Sequence, residues 1–171
     1  MSFDTNLAPG YLYAAPGYVS RSRVRRSENY VGPTRGGVKL SYTRKAEAVA
    51  DRAGNTVGEI AYGGRVKMSG KLAHVTPEAV CRLLGDLGGE VDPNGDVRAA
   101  RFPGADVARV TVCLVCPSDG GETEFYAVCS AADELSFALG SCDGDGVAFS
   151  LTAFCTRSAP RLSFIRRGAA L

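Results

Sequence analysis

One stretch constrains the fold of this chain more than any other. Residues Gly36 to Gly85 read as a strand, a long polar excursion, a return strand and a sharply capped helix. The first strand alternates, with Val38, Leu40 and Tyr42 on one face and Lys39, Ser41 and Thr43 on the other. The return strand has the same two-residue period. Val66, Met68 and Leu72 oppose Arg65, Lys67, Ser69 and Lys71. More than twenty residues separate the two strands, far beyond the two to five of an ordinary hairpin loop. A connection that long in a compact domain is expected to bind something. The helix then opens with Thr76 as cap, Pro77 at its first position and Glu78 at its positive end, and Gly85 stops it.

The remainder reads as short strands between turn signals. Val107 to Cys116 is the most apolar, with Val110, Val112 and Leu114 on one face. Glu122 to Ser130 is its expected partner, and Leu135 to Leu139 with Val147 to Cys155 form a further hairpin. Arg161 to Arg167 is expected to be a closing edge strand, and residues 88–104 a loop-rich connection around Asp92-Pro93-Asn94-Gly95-Asp96. Seven or so short strands and one helix predict a mainly β domain, a small antiparallel β-barrel or sandwich with one flanking α-helix. Residues 1–35 show no periodicity and several Pro and Gly, so they read as an extended N-terminal arm, with 36–171 as the single domain. Within that domain the helix is expected at about 76–85 and the hairpin arm at about 44–58.

The segments GGVKLSYT, RVKMSGKLAHV and TPEAVCRLLG, in that order around a polar arm, resemble the tail tube proteins of tailed bacteriophages. The resemblance runs from Gly36 to the end of the chain and rests on pattern, not on a catalytic motif. It implies a structural subunit that forms hexameric rings, stacked into the channel through which DNA leaves the capsid. The implied partners are other copies of the chain, a tail sheath if the tail is contractile, and tail terminator and baseplate proteins. DNA would pass through the lumen without specific binding. The implied location is the virion tail, after synthesis in the bacterial host cytoplasm. The related tube of a contractile secretion system belongs to the same reading.

Charge is unevenly spread although the net value is only +2. Residues 1–45 hold eight Arg or Lys against Asp4 and Glu28, whereas residues 46–156 hold sixteen acids against eight bases. Basic ends around an acidic body suit phosphate binding, or head-to-tail pairing with a neighbouring copy. Tyr11, Tyr13, Tyr18 and Tyr30 lie among the arginines, and such aromatics are enriched at protein interfaces. Candidate inter-subunit contacts are therefore Tyr11, Tyr13, Tyr18, Arg25 and Arg26, with Arg44, Lys45, Glu47, Asp51 and Arg52 on the arm. Ala46, Ala48, Val49 and Ala50 form a small apolar strip there, which the reading expects a partner to order.

Signals for catalysis are absent. No GxSxG, HExxH, P-loop or GxGxxG pattern occurs, so the chain reads as a non-enzyme without cofactor or metal. The lone His74 sits between a strand and the helix start, as a flanking polar residue would. Asp143-Gly144-Asp145-Gly146 lacks the later ligands of a calcium loop and falls where a hairpin turn is needed. No apolar run is long enough to span a membrane, and MSFDTNLAPGYLY does not read as a signal peptide.

Six cysteines stand out: Cys81, Cys113, Cys116, Cys129, Cys142 and Cys155. Cys113 and Cys116 make a CxxC, but within an alternating strand their side chains point to opposite faces, which suits neither a zinc knuckle nor a redox pair. Two readings stand: buried thiols used as small apolar side chains, or disulfides within or between subunits. All six are candidates for the second, with Cys142 and Cys155 best placed to reach a neighbour. The alternative function class is a small cysteine-rich, metal-dependent module that binds nucleic acid with its basic arm.

Overall fold

The computed structural model describes residues 2–85, 89–91, 93–94, 97–99, 109–118, 120–130, 134–136, 146–155 and 162–168. It is mainly β, as the patterning predicts. In chain order the elements begin β1 (Ser2–Leu7), β2 (Tyr11–Pro16), α1 (Arg21–Val24), a 3-10 turn (Ser27–Asn29) and β3 (Tyr30–Pro33). The long strands β4 (Val38–Ala50) and β5 (Thr56–Leu72) precede α2 (Pro77–Leu83), β6 (Gly89–Val91) and β7 (Val97–Ala99). Then come β8 (Arg109–Ser118), β9 (Gly121–Ser130), β10 (Glu134–Ser136), β11 (Val147–Cys155) and β12 (Leu162–Gly168).

Strands β5, β11, β9, β8, β2 and β3 lie side by side, all antiparallel neighbours. The run returns on itself. Thr34 bridges Leu72, Arg35 N–H donates to Lys71 O at 2.8 Å, and Ala73 N–H donates to Pro33 O at 2.9 Å. Those bonds join the end of β3 to β5 and close a barrel, which removes the exposed edges an open sheet would leave. Strand β4 pairs with β5 and carries β1 on its far side, while β12 lines β9 along Gly121 to Ala127. Leu12, Met68, Leu72, Val112, Leu114, Phe125 and Leu151 fill the interior, and α2 lays Ala79 and Leu83 against them. Each such side chain contributes about 2 kcal/mol by leaving water.

The helix matches its sequence signals. Thr76 Oγ1 accepts from Ala79 N–H at 3.3 Å, and Gly85 follows the helix with φ of 70°. Elsewhere the structure adds to the sequence reading. The segment expected as an extended arm holds β1, β2, α1, the 3-10 turn and β3, and its three strands belong to the main sheet. Leu12 and Ala14 are fully buried because β2 is an interior stave between β3 and β8. Strands β6 and β7, on either side of that turn signal, pair antiparallel, Glu90 with Arg98 and Val91 with Val97. The calcium-like turn at 143–145 lies outside the described residues.

Strand β8 is covered on both of its faces. Val110, Val112, Leu114 and Cys116 face the barrel interior as predicted, yet Thr111, Cys113 and Val115 are buried as well. A strand covered on both sides reads as a continuous apolar run. The second cover is the chain from Ala15 to Val24, which packs against Cys113, Val115, Tyr126 and Val128.

Candidate assembly interface

Two surfaces stand out, and the first is the hairpin. Strand β1 follows β4 only to Thr43, and β11 follows β5 only to Gly64. Beyond those points β4 and β5 pair with each other alone among the described residues, Ala46 with Ala61, Glu47 with Ile60, Ala48 with Glu59 and Val49 with Gly58. Register shifts flank this distal ladder, between Arg44 and Ala46 and between Val49 and Ala50. At its root the Tyr42 ring covers Gly64, where a Cβ would lie 2.8 Å from the ring. All residues from Ala46 to Ile60 are exposed, including Val57 at 65% and Ile60 at 61%.

The sequence reading left this arm to be ordered by a partner, but it is ordered by itself. Cross-strand bonds hold its flanks, and Asp51 holds its tip. The Asp51 carboxylate accepts from the N–H groups of Ala53 at 2.8 Å and Asn55 at 2.9 Å and from Asn55 Nδ2 at 3.2 Å. Those bonds, led by Asn55, hold its pKa below the usual carboxylate range. Asp51 is thus a turn-former, whereas Arg44, Glu47 and Arg52 stand exposed along the arm. The side chain of Lys45 is outside what the structure describes.

The second surface is built by β2 and β3. Tyr30 lies across Tyr13, with ring centres 5.4 Å apart and edge-on, and across Tyr11 at 6.4 Å. Tyr13 and Tyr30 are register partners, and Tyr11 follows two residues back on the same face of β2. With Arg25 and Ser27 the three rings line an open groove. Tyr11 is 45% exposed and Tyr30 37%, while burial among its neighbours pushes the pKa of the Tyr30 hydroxyl up. Tyr18 stands apart and is more exposed still.

Between the groove and the barrel lies an ion-pair cluster that no local signal in the sequence announced. Glu124 on β9 is fully buried and accepts from Arg21 Nε at 2.9 Å and Arg25 Nη1 at 3.2 Å. Arg25 also grips Glu122 through Nη1 at 2.8 Å and Nη2 at 3.4 Å, a fork-to-carboxylate pairing that raises its own basicity. Thr111 Oγ1 donates to Gly17 O at 2.7 Å and accepts from Val19 N–H at 2.9 Å, and the Tyr126 hydroxyl donates to Val19 O at 2.8 Å. The N-terminal basic run is therefore half spent inside its own molecule. Arg25, expected at a neighbour, instead clasps α1 to β9, while Arg23 and Arg26 stay exposed and Arg26 makes only a 3.8 Å contact to Glu28.

The cysteines divide by position. Cys116 and Cys129 face the barrel interior and Cys113 the opposite side of β8, as the alternation required. Those three are buried, and Cys81 on α2 is half-buried. Burial, then the neighbouring Glu124 charge, pushes the Cys113 thiol up to about 12. Cys155 ends β11 opposite Gly64, and Cys142 lies outside the described residues. Among the described residues no group of His, Cys, Asp and Glu could hold a metal ion, and no helix is long and apolar enough to cross a membrane.

Neither a protein-family model nor a curated protein matches this chain. Among solved structures it is similar to one titled "Crystal structure of Hcp protein", at 8% identity and a TM-score of 0.31 over 93% of this chain and 99% of that one. A likeness so loose carries no argument.

Proposed function

We propose that this protein is a self-assembling structural subunit whose copies form rings, and whose rings stack into a tube of the phage-tail kind. The observation that carries the proposal is the hairpin: a self-ordered two-stranded arm, exposed from Ala46 to Ile60, bearing Val49, Val57 and Ile60. A closed barrel has no stability reason to extend a ladder into water with apolar side chains on it. Such a patch is what a partner covers. The unpaired outer edges of that ladder also offer backbone groups to a neighbouring strand. The resemblance that runs from Gly36 to the end of the chain supplies the sixfold ring and the DNA channel. In that channel the acid-rich middle of the chain faces passing DNA and repels it, so that DNA slides without sticking. The partners are further copies of the chain, then the sheath, terminator and baseplate proteins of a tail. The nucleic-acid-binding alternative loses ground because Arg21 and Arg25 of the basic run are already committed to Glu122 and Glu124.

Mass measurement across a concentration series, with negative-stain images of the same samples, tests this reading. Six-membered rings and stacks of them are expected. A monomer that persists at the highest attainable concentration overturns it.

A further inference from the structure

We infer that the outward face of β4 and β5, at the root of the hairpin, binds the phosphate backbone of duplex DNA without regard to base sequence. The barrel side of these strands is apolar, with Val38, Leu40, Val66, Met68 and Leu72 buried. The opposite side has a single character. On β4 its positions are Lys39, Ser41 and Thr43, and on β5 they are Arg65, Lys67, Ser69 and Lys71. Those are four bases and three hydroxyls, with neither an acid nor an apolar side chain among them. Register interleaves the two types: Lys39 lies beside Ser69, Ser41 beside Lys67 and Thr43 beside Arg65. All four bases are exposed. Strand β11 continues the pattern with Ser150 and Thr152, the register partners of Ser69 and Lys67. The chain has 18 acidic residues, yet none falls from Asn29 to Ala46 or from Ile60 to Pro77. Among the described residues, acids come to this face only at its flanks. Asp4 on β1 accepts from Lys39 Nζ at 2.8 Å in an exposed pair, and Glu134 on β10 takes the register position opposite Ser150.

The residue types decide the partner. Lys and Ser are depleted where proteins meet proteins, and the aromatic and Met side chains that build such interfaces are missing from these outward positions. Arg, Lys, Ser and Thr are the side chains that contact phosphate oxygens. A lipid surface would also attract the bases, but stable attachment there sinks apolar side chains among the lipids, and these two strands offer none outward. Single strands are held by stacking their bases on aromatic rings, so the duplex backbone is the better fit. From Arg65 to Lys71 the face runs about 20 Å at the usual rise per strand residue, a length over which one strand of a duplex presents about six phosphates. These bases are distinct from the N-terminal run, in which Glu124 holds Arg21 and Glu122 holds Arg25. Phosphates look alike at every position, so DNA touched in this way slides along the face while the acid-rich remainder repels it. One copy of the chain carries the whole face, and the inference does not depend on self-assembly.

Fluorescence anisotropy of a labelled DNA duplex, titrated with the full chain, tests this. Binding is expected at low salt, equally for two duplexes of unrelated sequence. Between about 50 and 200 mM salt it should weaken about fiftyfold, the slope for roughly three phosphates neutralised. Lys67→Glu with Lys71→Glu is expected to weaken it by about tenfold or more at low salt. Arg23→Glu with Arg26→Glu makes the same change of net charge at exposed positions on the α1 segment, outside the face, and should alter binding by no more than about twofold. Thermal melting checks that both variants fold. If the glutamates unfold the chain, Lys67→Gln with Lys71→Gln takes their place and should lower the salt slope by about two. Equal losses in the two pairs would make the attraction general and overturn the site. A native chain that leaves the duplex unbound at low salt overturns it, as does tighter binding to anionic lipid vesicles or to polyglutamate than to the duplex. Rings counted in the same samples keep the two readings apart, since either result for DNA leaves the self-assembly reading to its own test.

Discussion

Arg21 and Glu124 lie 103 positions apart in the chain, yet the Arg21 Nε–H donates to a Glu124 oxygen at 2.9 Å and the carboxylate is wholly buried. With Arg25 on its other oxygen, Glu124 anchors the segment that covers the outer face of β8 and β9. An ion in such a place is costly unless its partners remain. Replacing Arg21 and Arg25 together by methionine strands that carboxylate, and a loss of about 3 kcal/mol is expected, reduced from the fully buried case because both arginines stay partly open to water. Adding Glu124→Leu to the same protein should recover most of the loss. Guanidinium unfolding midpoints decide it, and a triple variant no more stable than the double would show that the charge is not what the clasp stabilises.

The neighbours of Glu124 set the response to alkali. Cys113 and Tyr126 are register partners on β8 and β9, and each is pushed up to about 12, the thiol from 9.0 and the phenol from 10.0, in both cases chiefly by burial. The folded state holds these two protons more tightly than the unfolded chain does. Their contribution to stability is thus fully present below about pH 9 and is lost as pH rises towards 12. Stability measured between about pH 8 and 11 should fall, and Cys113→Ala with Tyr126→Phe should flatten that fall. An unchanged slope in the double variant would assign the alkaline loss elsewhere.

Two left-handed glycines should answer differently to alanine. Gly54 at the hairpin tip has φ of 86° and nothing within 4 Å of an added Cβ, so only the backbone conformation resists, at about 1 kcal/mol. Gly85 has φ of 70°, and its Cβ would lie 2.4 Å from Arg109 O. A backbone carbonyl cannot swing away like a side-chain tip, so Gly85→Ala is expected to cost about 3 kcal/mol, strain and clash together. Equal unfolding midpoints for the two variants would refute the distinction.

Cutting the hairpin back to a two-residue turn between Arg44 and Gly64 should leave the barrel intact, since every residue from Ala46 to Ile60 is exposed. The expected outcome is a melting temperature within a few degrees of the parent, far less than losing about 1 kcal/mol at each of several core positions would cause. Assembly should disappear. Rings and stacks formed normally by the shortened chain would remove the hairpin from the interface.

The thiols should react in order of their burial. Cys81 is expected to label in the native protein, and Cys113, Cys116 and Cys129 only after unfolding, because all three are buried and burial also pushes up the thiols of Cys113 and Cys116. If assembled particles are cross-linked between subunits, the bonds must then come from Cys81, Cys142 or Cys155. Non-reducing electrophoresis after Cys113→Ala, Cys116→Ala and Cys129→Ala should keep any ladder of multimers seen in the parent. A ladder lost with those three would mean that assembly opens the barrel.

Local physics was legible in the residues alone. The alternation of Val38, Leu40 and Tyr42 against Lys39, Ser41 and Thr43 placed β4. The opposed faces of Cys113 and Cys116 followed from a strand's period of two, and Thr76-Pro77-Glu78 marked the start of α2. Each of these depends on positions a few residues apart. The tertiary structure alone decided what depends on distant partners. Residues 1–35 carry no periodicity because β2 alternates for only a few positions and α1 is a single turn, so nothing in them says that Leu12 and Val24 are buried. The uneven charge was plain in the sequence, but not that Arg21 and Arg25 reach Glu124 and Glu122 within the same molecule. An ion pair leaves no local pattern: it forms where the closure of a barrel happens to bring opposite charges together, and only the folded chain determines that.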